Sequence, residues 1–131
     1  MRAPEGETRP FAYSLLRVVP RVERGERLNV GVVLFCRQLD FLDVCTHLDE
    51  ARLAAIAPDA DPAPIRARLD ALAGVARGDA GSGPIGRLSQ SERFGWIVAP
   101  ASTVIQHSKV HTGLTHDPAA TLAQLYARLV A

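Results

Sequence analysis

His107, Lys109 and His111 stand two residues apart, and on an extended strand that spacing puts three proton-bearing side chains on one face. Imidazole, ammonium and guanidinium groups side by side can grip a phosphate or an acidic peptide. Arg17 and Arg93, each in or next to an apolar run, are the guanidinium groups that could join them, with Ser108 and Thr112 as hydroxyl donors. A second grouping runs Glu23, Arg24, Gly25, Glu26, Arg27 and then Asn29, just before an apolar stretch. There Arg24 and Arg27 could hold an anion while Asn29 and Gly31 let a ligand or a partner's backbone come close. Both groupings also have an ordinary structural explanation. Charges on an open sheet face are usually solvated, Asn29 can bond to a turn, and Gly31 can form a bulge.

Metal chemistry is less well served. His116 and Asp117 follow the two histidines, but the spacing matches no zinc signature, and Lys109 between the imidazoles would repel a cation. No metal and no cofactor are expected, and Asp117 reads as a helix cap. Catalytic templates are missing too. The chain holds no GxSxG elbow, no phosphate-binding glycine loop ending in Lys-Ser/Thr, no HExxH and no CxxC. Gly81-Ser82-Gly83 is followed by Pro84 rather than by lysine, and reads as flexible chain.

The elements that must position these residues follow from periodicity. Phe11 to Val19, between Pro10 and Pro20, is rich in aromatic and branched residues and reads as a first strand. Leu28 to Cys36 is apolar on both faces, with Leu28, Val30, Val32 and Leu34 on one and Asn29, Gly31, Val33 and Phe35 on the other, and reads as a central strand with Gly31 marking a bulge or a close approach. Phe41 to Leu48 alternates as a third strand, paired through a turn at Gln38-Leu39 that opposes Cys36 to Phe41 and Cys45 to Val32. The two cysteines therefore do not face each other, and two free thiols are expected. Asp49 caps a short helix to Ala57, and Asp61 caps a longer one from Pro62 with Ile65, Leu69, Leu72 and Ala76 inward. Arg66, Arg68 and Asp70 fall on its outer side. Gly78 to Gly86 reads as an exposed flexible loop, Gly95 to Ala99 as a buried strand, Val104 to Thr112 as extended, and Asp117 caps a final helix. Trp96 and Phe94 read as core or interface anchors. The expected architecture is one α+β domain over residues 1–131. It has a mainly antiparallel sheet of about four to five strands, helices packed on one face, and a loosely ordered stretch at residues 1–10.

Bulk composition narrows the partners. With 131 residues, 47% apolar and 22% charged, the chain can bury a core without staples. The net charge is +1, from 15 basic and 14 acidic residues, which argues against a nucleic-acid partner. The longest apolar stretch is too short to span a bilayer, and the polar opening residues resemble no signal peptide, so a reducing cytoplasm is expected.

Three segments resemble one bacterial family, that of domain of unknown function 3037: Tyr13 to Phe35 (YSLLRVVPRVERGERLNVGVVLF), Arg93 to Pro100 (RFGWIVAP) and Ile105 to Pro118 (IQHSKVHTGLTHDP). The resemblance implies no catalytic residue. It implies a protein partner, since such proteins resemble frequent genomic neighbours of HipA-type kinases. A non-catalytic accessory or interaction module is therefore the leading expectation, and a homo-oligomer is compatible with it. The alternative is a small phosphate- or anion-binding regulator or enzyme using the Arg/His/Lys set, and a nucleic-acid-binding protein comes third.

Overall fold

A computed structural model describes residues 7–99 and 104–131. Five antiparallel strands form one open sheet in the order β3-β2-β1-β4, and the fifth strand also pairs with β1. The strands are β1 (Arg9–Val18), β2 (Leu28–Cys36), β3 (Phe41–Thr46), β4 (Ile105–His107) and β5 (His111–Thr115). The helices are α1 (Glu50–Ile56), α2 (Pro62–Arg77), the single turn α3 (Gly83–Gly86), α4 (Gln90–Ile97) and α5 (Pro118–Leu129). The α+β class, the antiparallel sheet and the strand count match the sequence reading.

The β2–β3 hairpin has the expected register, with Cys36 opposite Phe41 and Val32 opposite Cys45. A 3-10 turn at Arg37–Leu39 closes it, and Asp40 takes the left-handed conformation (φ 55°), which aspartate tolerates better than most residues. Both cysteines are free.

The first correction lies along β2. Leu16 pairs with Gly31 but Arg17 pairs with Asn29, so Val30 is an inserted residue and the ladder bulges there. The bulge reverses the facing of everything before it. Leu28 and Val30 therefore share a face with Val33 and Phe35, while Val32, Leu34 and Cys36 occupy the other. Gly31 is tightly enclosed at this point: a methyl on it would lie 3.1 Å from the Cys45 carbonyl oxygen and 3.2 Å from a Leu16 methyl.

The second correction is that helices cover both faces, where one was expected. On one side Leu16, Val18, Val30 and Val33 pack with Leu53, Ile65, Leu69, Leu72 and Ile97, which brings α1, α2 and α4 onto the sheet. On the other, Phe11, Leu15, Val32 and Leu34 pack with Leu122 and Leu125 of α5. A strand that is apolar on both faces has to be covered twice. Burying each such Leu or Val contributes roughly 1.5–3 kcal/mol, which decides in favour of two layers.

The third concerns α4. Gly95 to Ala99 was expected to be a strand, yet Ser89 and Glu92 form a capping box that starts a helix at Gln90. Ser89 Oγ accepts from the Glu92 amide at 3.2 Å, and the Glu92 carboxylate accepts from Ser89. The fourth is Gly78 to Gly86, which holds a 3-10 turn and α3, with Gly86 buried against Ser82. The fifth is the expected extended run from Val104 to Thr112, which divides into β4 and β5. Between them Ser108 takes over the pairing: its Oγ accepts from the Leu15 amide at 2.9 Å, and its carbonyl accepts from Ser14 Oγ at 2.7 Å. Ser14 is thereby satisfied although wholly buried.

Candidate functional site

The break at Ser108 changes where the histidines go. His107 pairs with Leu16, and His111 pairs with Tyr13. Directly opposed residues share a face, so His107 lies on the α2 side and His111 on the α5 side. His111 stacks on Tyr13 with ring centroids 5.1 Å apart. His107 Nδ1 donates to the Ser108 carbonyl at 2.6 Å. Lys109 is exposed in the break itself.

The arginines are dispersed as well. Arg17 Nε donates to Asn29 Oδ1 at 3.3 Å, and Asn29 Nδ2 donates to the Leu129 carbonyl at 3.1 Å. Asn29 thus ties the last turn of α5 to the sheet and satisfies one of that helix's orphan carbonyls. Burial, and after it the nearby Arg27 guanidinium, lower the Arg17 pKa from the ordinary arginine value. Arg17, Arg27 and Asn29 therefore do come together. Arg24 is exposed and hydrogen-bonds Glu26, which raises its pKa, so its charge is already answered. Arg93 sits in α4 against Gly78 and donates to the Leu88 carbonyl. One assembled anion site does not emerge from this set.

Among the described residues no group of three or more His, Cys, Asp or Glu could hold a metal. No described helix is long and apolar enough to cross a membrane.

Two surfaces stand out instead. One is the outer side of β5, which has β1 as its only strand neighbour among the described residues. Leu114 there is 68% exposed and faces across to the exposed Pro10, while Val110, just before the strand, is 42% exposed. An edge with apolar side chains on display is a template for another strand.

The other is a groove of about 510 Å³ between the start of α2 and β4, walled by Val18, Pro20, Pro64, Ile65, Val104 and Ile105. A smaller hollow of about 200 Å³ adjoins it, lined by Leu72, Trp96, Ile97 and His107. Arg68 and Ile105 border both hollows. The Arg68 guanidinium lies 5.5 Å from the centre of the Trp96 ring. Neither Arg68 nor Trp96 was singled out as a site residue from sequence. The sequence places Pro64, Arg68 and Leu72 one helical turn apart on one face of α2, but does not join them to Trp96 or Ile105.

The described residues form an α+β domain with an exposed apolar strand edge at β5 and an apolar groove between α2 and β4. The chain belongs to the DUF3037 family of proteins of unknown function, whose model matches residues 13–130. Neither the curated proteins nor the solved structures contain a match.

Proposed function

We propose that this chain is a non-catalytic accessory module that docks a partner protein along the outer side of β5. The observation that carries the reading is Leu114, a large apolar side chain 68% exposed on a strand whose outer flank pairs with no other described strand. Soluble domains generally blunt such edges with charge, proline or a covering element. Exposed Lys109 at the head of the strand offers a cation to an acidic neighbour on the partner. A partner segment would add main-chain hydrogen bonds to β5 and bury Leu114 and Val110, the mode of strand addition. A bacterial cytoplasm suits this role, since reducing conditions keep Cys36 and Cys45 as thiols.

The resemblance makes a HipA-type kinase the first partner to test. Co-expression of the tagged chain with such a kinase from the same genome should give co-elution, and Leu114→Lys should abolish it without lowering the melting temperature. Co-elution unaffected by Leu114→Lys would remove the edge from the account, and failure to co-elute would remove the kinase.

A further inference from the structure

We propose that the groove between α2 and β4 binds a small amphipathic carboxylate, with the acid group on Arg68 and the apolar body in the larger hollow. The larger hollow, about 510 Å³, falls in the ordinary range for small-molecule sites, and its walls are aliphatic apart from Arg68 and Asp61. Apolar walls take up a hydrocarbon body; they do not by themselves orient it. Orientation comes from Arg68, which borders both hollows and whose guanidinium is steadied over the Trp96 ring.

Arg68 differs from its neighbours on the same side of the molecule. Arg66 pairs with Glu50, Arg52 with Asp49 and Arg77 with Asp43, whereas among the described residues the charge-related contact of Arg68 is the aromatic face of Trp96. A guanidinium placed over indole with its carbon 5.5 Å from the ring centre keeps N–H groups available for a carboxylate. His107 lines the smaller hollow beside it, with Nδ1 already donating to Ser108.

A single negative charge fits better than a double one. Asp61 also lines the larger hollow, where it caps α2 by accepting from the Ala63 amide at 3.0 Å. Its carboxylate would repel a dianion more than a monoanion. A fatty or arylalkyl carboxylic acid meets all of these conditions.

The chain contains one tryptophan, Trp96, so its emission reports on this groove alone. Titrating octanoate, 1-octanol and octylamine against the full chain should change that emission in a saturable way for octanoate. Octanol should bind about tenfold more weakly, as expected when one charge-assisted contact is lost, and octylamine more weakly still. Arg68→Gln, at an exposed position, should bring octanoate down to the octanol affinity and leave octanol unchanged. Val104→Glu, at the rim, should weaken octanoate while the circular dichroism spectrum stays native. Octanol binding as tightly as octanoate would make the groove a bare apolar slot, of use to a partner's side chain, and would overturn the proposal. Octanoate affinity unmoved by Arg68→Gln would overturn it equally.

Discussion

His107 and His111 lie four residues apart in the chain and on opposite faces of one sheet, the first paired with Leu16 and the second with Tyr13. The Ser108 junction between β4 and β5 causes the separation, because its side chain and carbonyl engage β1 in place of a regular ladder. Two groups so placed should act independently. His111→Ala gives up a ring stack and should cost about 1 kcal/mol. His107→Ala gives up a bond to an adjacent carbonyl and should cost less. In a double-mutant cycle followed by urea denaturation, the coupling energy should fall below about 0.5 kcal/mol. A larger coupling would mean that the two imidazoles share a site after all.

Gly31 is the point at which β2 changes faces. Gly31→Ala would push a methyl to 3.1 Å from the Cys45 carbonyl and 3.2 Å from Leu16 and Thr46 methyls, with a strand on each side. Backbone cannot give way as a side chain can, so the substitution should destabilise by about 1–3 kcal/mol. The urea midpoint should fall with the slope unchanged. An unchanged midpoint would show that the strands have room at this point.

Much of this architecture was legible because local signals and tertiary demands agreed. Asp61-Pro62 and Asp117-Pro118 start helices where cap and proline chemistry say they should. The turn at Arg37 to Asp40 left one sensible register for the hairpin. The apolar run GWIVA was misleading because short apolar runs suit a strand or a buried helix equally, and the Ser89/Glu92 box decides between them. Facing along β2 was lost at the bulge, because alternation counts residues and a bulge adds one. The groove was illegible for a different reason: Arg68, Trp96 and Ile105 come from three elements that only the folded sheet brings together.

Asn29 joins Arg17 to the last turn of α5. Asn29→Ala should leave the Leu129 carbonyl without its side-chain donor and deprive Arg17 of an acceptor, at a cost of about 1–2 kcal/mol. Native-state hydrogen exchange should show the C-terminal turn of α5 opening more readily while β2 and β3 keep their protection. Uniform loss of protection would mean that α5 is not a separately anchored element.

Cys45 has its pKa raised, by burial first and then by the Asp43 carboxylate, with Arg77 opposing. In the folded chain its reaction with a thiolate-selective reagent should be slower than that of a free cysteine peptide at the same pH. A raised folded value means the native state holds the thiol proton more tightly than the unfolded chain does. The resulting stability is fully present below the unfolded thiol pKa and is lost as pH rises through the folded one. Stability that increased with pH across the alkaline thiol range would contradict this assignment. Unfolding the protein without reductant should expose two reactive thiols, Cys36 and Cys45.

The central claim is that β5 is the docking edge. Hydrogen exchange on the chain alone and in its purified complex with a protein partner tests that most directly. The account predicts new protection of amides in His111–Thr115, where a partner strand would bond, with β3 at the far edge of the sheet unchanged. Protection concentrated on β3 or on the exposed face of α2, with β5 exchanging as freely as before, would contradict it.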